Sequence, residues 1–271
     1  MEQKLTIKPL QIQKTKLITA CIVMPTYNEA NNIIPILDKI FDEEYANKSK
    51  RITINVLVVD DNSPDGTANK VIRYKRINSN GQKVHLLTRK KKEGLGAAYI
   101  HGMKHAMETI NPDYILEMDA DGQHDPEDLY NLFEAMGEGY DFVIGSRYVN
   151  GGSVPKSWGW NRKLVSWCAG TVIKVGLGLN GIKDCSGGFR VMRSDMLKQI
   201  DLDKLNVKGY AFQAALLEAV VYGGFEVKEV PISFGQRTEG ESKMGFSDMA
   251  EGWKLIYHVR KQRLKRLLGV A

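Results

Sequence analysis

The sequence predicts a single α/β domain with a mostly parallel central sheet flanked by helices, and three observations carry that prediction. Short β-branched apolar runs alternate with stretches of helical apolar spacing through the first half of the chain. Such alternation implies parallel strands joined by right-handed crossovers. The unusual polar clusters, Pro25–Glu29, Asp60–Thr67 and Asp119–Gln123, all follow strand ends. Open parallel sheets bind their ligands there, outside the carboxyl ends of the strands. Finally, the 271 residues show no internal repeat, low-complexity segment or compositional break. One large core is therefore expected, between an N-terminal arm (residues 1–16) and a basic C-terminal helix (residues 248–271).

Each element follows from local pattern. Residues 17–24 form a continuous apolar run, the mark of a buried strand. Ile33, Ile34, Leu37, Ile40 and Phe41 then recur at helical spacing. Residues 52–59 repeat the strand pattern, followed by a helix over 68–77. A third strand is expected at 84–88 and a helix from Gly94 to Met107. The fourth strand begins at Tyr114 and runs into Asp119-Ala120-Asp121. Asp125-Pro126-Glu127-Asp128 reads as a helix cap with proline in the first turn, ahead of a helix over 129–136. A strand at 142–144, a Gly- and Trp-containing loop at 150–163, and an apolar helix at 164–179 come next. A turn at 184–190, a helix at 214–222, a strand at 227–234 and a polar Gly-containing loop at 236–246 precede the tail.

Charge and cysteine usage exclude several classes. Residues 253–271 hold six of the 38 Lys and Arg and no Asp or Glu. Removing those six leaves 32 basic against 32 acidic residues, so the body is formally neutral. A broad nucleic-acid-binding face is therefore not expected; one local basic element is. Cys21, Cys168 and Cys185 are isolated and odd in number, which suggests neither a disulfide framework nor a zinc cluster and fits a reducing compartment. No signal peptide or membrane-spanning run is apparent; the nearest candidate, residues 164–179, is interrupted by Lys174 and small residues. No G-x-G-x-x-G follows the first strand, which disfavours a dinucleotide-binding reading.

Asp119 and Asp121 stand two apart, so extended backbone would point both carboxylates to one face. Two aspartates at a strand end suit a hard divalent ion that itself holds phosphates. The plain alternative is an acidic turn beside a helix cap. The surrounding stretches tip the balance. Pro25-Thr26-Tyr27-Asn28-Glu29, Asp60–Thr67, Gly94–Tyr99, Asp119-Ala120-Asp121, Gly145-Ser146-Arg147-Tyr148, Ser186–Arg190, and Gln236-Arg237 with Gly240–Lys243 occur in this order over about residues 20–247. Together they resemble the family-two inverting glycosyltransferases of GT-A fold, a nucleotide-sugar-binding architecture. The match is nearer to the dolichol-phosphate mannosyltransferase branch.

That resemblance implies transfer of mannose from GDP-mannose to dolichyl or another polyprenyl phosphate. Pro25, Tyr27 and Glu29 would meet the nucleoside, Tyr27 offering a ring face to the base. Asp61 would hydrogen-bond base or ribose, with backbone contributed by Val59; of Asp60 and Asp61, one is expected to serve as a cap. Asp119 would reach ribose or metal, with Ala120 beside it. Asp121 and Gln123 would complete a magnesium or manganese site. Arg147, Arg237 and Lys243 would bring positive charge to the phosphates. Arg162 and Ser166 would bind the acceptor phosphate. Asp184 and Arg190 would pair to hold the turn between them, and His101, His105 and His124 read as packing or surface residues. Two alternatives stay open: a polyprenyl-phosphate transferase using a UDP-sugar, and a noncatalytic nucleotide-sugar-binding subunit.

The tail places Trp253, Ile256, Tyr257, Leu264, Leu267 and Leu268 near helical spacing among five cations. Such a helix suits a membrane interface. Trp158, Trp160 and Trp167 offer a second contact. The expected location is peripheral, on the cytoplasmic face of a membrane. The rival readings are a helix packed along one stripe on the body, and docking to a small membrane-spanning partner subunit.

Overall fold

Strand β1 (Ile18–Thr26) is buried throughout its middle, and its side chains divide cleanly between the two faces of the sheet. Cys21 and Val23 join one apolar core; Ala20, Ile22 and Met24 join the other. This is the period-two alternation of a strand covered on both sides. The structure, a computed structural model, describes residues 17–42, 51–205, 211–236 and 246–267. The arm at 1–16, Arg237, Lys243 and most of the 236–246 loop lie outside the described residues.

Around β1 stand β2 (Ile52–Asp60), β3 (Val84–Thr88), β4 (Tyr114–Glu117), β5 (Phe142–Ser146), β6 (Arg190–Arg193) and β7 (Val227–Pro231). They form one seven-stranded sheet in the order β3-β2-β1-β4-β6-β5-β7. Every pairing is parallel except those of β6, which runs antiparallel to both β4 and β5. The mostly parallel α/β architecture expected from the sequence is therefore observed.

Helices α1 (Ile33–Ile40), α2 (Thr67–Ile77) and α4 (Leu129–Gly137) contribute apolar residues to one core. Helix α3 (Leu95–Thr109), the outer helix α5 (Trp160–Leu177), the short α6 (Ser194–Leu197) and α7 (Ala211–Tyr222) cover the other face with the C-terminal α8 (Phe246–Leu267). Helix α3 approaches the sheet at Gly102, where an added Cβ would stand 2.4 Å from Val23 Cγ1 and 2.8 Å from Val59 Cγ2. Only glycine permits that separation.

Three expectations change. Strand β6 is not apparent in the sequence, because its four residues begin and end with arginine and so lack an apolar run. Helix α5 starts at Trp160, four residues earlier than its apolar stretch suggests. The tail stripe is also rotated. Leu255, Ile256 and Val259 pack into the body, with Ile256 pressed on Gly176, while Trp253 and Tyr257 face outward. Ile256 is therefore removed from the proposed membrane face. Arg260 donates from Nε to the Gly176 carbonyl (3.0 Å) and from Nη2 to that of Val175, fastening α8 to the end of α5.

Candidate active site

The ends of β1 and β2 meet in register, Pro25 opposite Val59 and Thr26 opposite Asp60. The two aspartates that follow divide the work. Asp60 accepts from Thr26 Oγ1, Ser63 N and Ser63 Oγ, so it is the turn-forming carboxylate. Asp61 instead accepts from the buried Arg89 Nη1 at 2.7 Å. Burial raises the Asp61 carboxyl above its ordinary value, and Arg89 offsets only part of that. Arg89 also holds Glu93 through Nη2. Glu29 accepts from Asn32 Nδ2 at the start of α1, and its backbone N–H donates to Thr67 Oγ1. One face of the Tyr27 ring carries the Lys92 ammonium at 3.9 Å. The ends of β1 and β2 and the turns after them are thus tied together, and one face of the Tyr27 ring is engaged by a cation.

The chain leaves β4 at Glu117 and turns through Asp119-Ala120-Asp121. This loop is held at every residue type that matters. Tyr99 Oη donates to Asp119 Oδ1 at 2.9 Å, and the Tyr99 ring stacks on Phe212. The Asp119 N–H donates to His124 Nδ1 at 3.2 Å. Burial pushes the His124 imidazole down to about 4, which keeps it neutral and able to accept. Its ring stacks on Phe189 and meets Phe234 at a tilt. Asp121 Oδ1 accepts from Gln123 N, while Gln123 Nε2 donates to the Gly235 carbonyl. That last bond uses the side-chain nitrogen of Gln123 and not its oxygen.

Two carboxylates and a carboxamide oxygen are hard donors, the kind that magnesium or manganese takes. Among the described residues no three His, Cys, Asp or Glu side chains close on a single point. The residues fit an ion that takes few protein ligands and shares the rest with water and a diphosphate.

Beneath the loop, Glu117 and Arg190 are directly opposite partners on β4 and β6. Both are fully buried, 3.9 Å apart, and burial pushes the Glu117 carboxyl up to about 7 against the pull of Arg190. Arg190 donates to the carbonyls of Gln213 and Cys185. The expected pairing of Asp184 with Arg190 is therefore corrected. Asp184 belongs to Arg147, which donates to it from its backbone N, from Nε (2.8 Å) and from Nη2 (2.7 Å). The correction has a geometric cause: Arg147 follows β5 and turns back onto the segment before β6, whereas Arg190 is drawn into the sheet by its cross-strand carboxylate. Burial alone would raise the Asp184 carboxyl; the charge and hydrogen bonds of Arg147 hold it below its ordinary value.

Arg147 also lies 5.2 Å from the ring centroids of Tyr148 and Phe234. Tyr148 and Ser166 share a hydroxyl–hydroxyl bond of 2.8 Å. Arg162 stacks on Trp158 at 4.2 Å, and Trp158 meets Phe234 edge-on. Arg147, Arg162 and Ser166 are thereby gathered into one cluster, which joins the Asp119 loop through Phe234 and His124. Sequence reasoning passed over Glu117 and Gln213, included Tyr99 only as the end of the Gly94–Tyr99 motif, and read His124 as a packing or surface residue without its bond to the Asp119 backbone. The adjacency of His124 to the carboxylate run was the available signal for one of them.

A parallel sheet with carboxylates and arginines gathered at its strand ends is the arrangement of a GT-A nucleotide-sugar transferase. The profile of glycosyl transferase family 2 matches residues 21–201, and the chain belongs to that family. A polyprenol monophosphomannose synthase of Mycolicibacterium smegmatis is 37% identical over 270 residues, 99% of this chain and 95% of the relative. An undecaprenyl-phosphate mannosyltransferase of Micrococcus luteus is 40% identical over 222 residues, 82% and 86% of the two chains. A dolichol-phosphate mannosyltransferase of Pyrococcus furiosus is 35% identical over 89% of this chain and 63% of its own length. Among solved structures, mannosyl-3-phosphoglycerate synthase from Rubrobacter xylanophilus shares the fold with a TM-score of 0.62 at 18% identity, over 93% of this chain and 76% of that one. Glucosyl-3-phosphoglycerate synthase from Mycobacterium tuberculosis, in complex with Mn2+, UDP-glucose and phosphoglyceric acid, does so with a TM-score of 0.60 at 16% identity, over 94% and 81%.

Proposed function

We propose that the protein transfers mannose from GDP-mannose to dolichyl or another polyprenyl phosphate, with inversion at the anomeric carbon. The observation that carries this reading is the joining of two clusters by one aromatic bridge: Asp119, Asp121 and Gln123 on one side, Arg147, Arg162 and Ser166 on the other. The relatives named as polyprenyl- and dolichyl-phosphate mannosyltransferases support the mannose and the lipid phosphate.

Pro25, Tyr27, Glu29, Val59 and Asp61 cradle the nucleoside. Asp119 orients the donor beside Ala120, and Asp121 with Gln123 holds a divalent ion, as the manganese in a fold neighbour supports. When bound, that ion offsets the charge that develops on the leaving diphosphate. Arg162 and Ser166 hold the acceptor phosphate, with Arg147, Arg237 and Lys243 supplying further positive charge. A phosphate monoester is largely ionised near neutral pH, with a second pKa of about 6. Its oxygen therefore needs no general base to attack. The demand on the site is to bring two anions together, and preorganised cations meet it.

The outward apolar side chains of α5 and α8 suit peripheral attachment to a membrane on its cytoplasmic face, close to the lipid acceptor. No helix among the described residues is long and apolar enough to cross a membrane. A small membrane-spanning partner subunit would use the same wall.

The test is transfer of labelled mannose from GDP-mannose to dolichyl phosphate and undecaprenyl phosphate in detergent, with and without magnesium or manganese. A UDP-sugar panel is run alongside, because a fold neighbour holds UDP-glucose. Absence of transfer from GDP-mannose to either lipid overturns the reading; transfer from a UDP-sugar alone replaces the donor.

A further inference from the structure

Asp184 is buried, and each hydrogen bond its carboxylate takes comes from an N–H group. Oδ2 accepts from the backbone N of Arg147 (3.0 Å) and from its Nε (2.8 Å). Oδ1 accepts from Arg147 Nη2 (2.7 Å) and from the backbone N of Gly187 (2.9 Å). An ionised carboxylate offers about four lone-pair sites, and these donors use them. A carboxamide cannot take its place: whichever way it is turned, its NH2 faces two N–H donors. Burial works against the charged form, yet the charge and hydrogen bonds of Arg147 keep the group below its ordinary value and so ionised.

The pairing fixes Arg147 as well as neutralising it. One carboxylate holds both its backbone and its guanidinium, and Nη2 also donates to Ser186 Oγ at 3.0 Å. Asp184 is anchored in turn. The backbone N of Lys183 and of Asp184 each donate to the Glu229 carboxylate at 2.8 Å. Glu229 lies on β7 opposite Ile144 of β5, the strand that Arg147 follows. The guanidinium is therefore referenced to two paired strands of the sheet. An arginine that is free to turn gives up rotamer freedom when it grips a ligand, and one already held does not. The carboxylate does not mask it. The Arg147 side chain keeps 10% of its surface open and the Asp184 side chain 0%, so an anion arriving from solvent meets the cation.

We propose that Asp184 is a positioning residue that, steadied by Glu229, orients Arg147 toward a substrate phosphate. This rests on the phosphate role given to Arg147 above and adds the residues that set its orientation. The phosphate belongs to the nucleotide donor or to the lipid acceptor; the group recognised is the same, and binding separates the two sources.

Parent protein, Asp184→Asn, Arg147→Lys, their double variant and Glu229→Gln are compared. Turnover gives kcat and the KM of each substrate. Calorimetry reads the binding of GDP with magnesium and of a short polyprenyl phosphate in detergent, and melting temperature follows the fold. Asp184→Asn keeps the shape of the side chain but sets an NH2 against N–H donors, so kcat is expected to fall about 100-fold, the scale of a misplaced active-site group. Arg147→Lys keeps the charge, loses the fork and is expected to fall alike. The double variant is expected to be no slower than Asp184→Asn, because residues that act through one another are not additive. If the phosphate is the donor's, GDP weakens about tenfold in Asp184→Asn while the lipid phosphate binds as in the parent; if it is the lipid's, the reverse holds. A lowered melting temperature with parent-like kcat and phosphate affinities marks a purely structural role and overturns the inference. Effects that multiply in the double variant also overturn it, since Asp184 would then act apart from Arg147. Should Asp184→Asn fail to fold, the half-buried Glu229→Gln carries the same cycle with Arg147→Lys, and parent-like kcat there overturns the inference. A parent that binds both ligands but transfers nothing overturns the functional reading instead, while the binding ratios still decide the role of Asp184.

Discussion

The strand-end site and the outer wall made by α5 and α8 are built on opposite principles. At the strand ends, polar side chains turn inward and fasten one another: Asp60 to Ser63, Asp61 to Arg89, Asp119 to Tyr99, Asp184 to Arg147. On the wall, apolar side chains turn outward. Of the eleven large hydrophobic side chains exposed among the described residues, seven lie on these two helices, Trp160, Leu164, Trp167, Val172, Val175, Trp253 and Tyr257. Such concentration differs from the scattered exposure of ordinary surfaces and marks an interaction face. One region obtains precision from internal pairing. The other leaves its apolar area for something outside the molecule.

By this contrast, the largest effect falls on chemistry when a carboxylate of the inner region is removed. Asp121→Ala is expected to reduce mannose transfer roughly 1,000-fold, at the upper end of losing one preorganised electrostatic group. Turnover assays with the fold checked by circular dichroism measure it. Full activity in this variant, or in the parent after exhaustive chelation, breaks the assignment.

Next in size is stability. Arg147→Met strands the buried Asp184 and is expected to cost about 3 to 5 kcal/mol, read by urea unfolding at neutral pH. The pH dependence separates the charge from the packing. In the parent, the folded pKa of Asp184 lies below its ordinary 3.8, so its stabilisation is complete above that value and is lost as the pH falls below it. In the variant, burial without Arg147 raises the folded pKa above the unfolded one. Mild acid should then narrow the deficit. A deficit that does not change between pH 7 and pH 4 would point to packing alone.

On the wall the expectation reverses. Replacing Trp160 and Trp167 by serine should leave stability within about 0.5 kcal/mol, as for exposed positions. Sedimentation with anionic liposomes should nevertheless weaken about 100-fold, from the apolar area withdrawn from lipid. If the parent does not sediment with vesicles, direct attachment fails and partner docking takes its place.

The smallest effect sharpens the inner side. Tyr99→Phe keeps the stacked ring and deletes one hydrogen bond to Asp119, so donor affinity should fall about tenfold with little change in melting temperature. A change confined to melting temperature would make Tyr99 a packing residue only.

Much of this contrast was legible in the sequence. Strands β1 to β4 announce themselves as apolar runs, and the carboxylates after them mark the ligand edge, because parallel topology obliges strand ends to gather. Pairings across distant segments were less legible. Nothing local says that Asp184 belongs to Arg147, since the choice depends on β6 reversing direction between two strands. The strand is invisible for a related reason: Arg190 is buried by Glu117, a partner 73 positions away in sequence, and so looks polar where its environment is core. The wall was half legible. Spacing identified the terminal helix, but Ile256 turned inward because Gly176 on another helix leaves room for it.

Gly102 carries a consequence for how finely such a site is adjusted. It lies three positions after Tyr99 on α3, and residues so spaced share one side of a helix. The absent side chain thus works like the thickness of a shim: it sets how far the helix stands off the sheet, and so how far the tyrosine hydroxyl stands from Asp119. A methyl group at 102 would touch valines and no ligand. It would still move the one hydroxyl that aims a carboxylate, so the tolerance of the active site is fixed at a position remote from the chemistry and occupied by the smallest residue available.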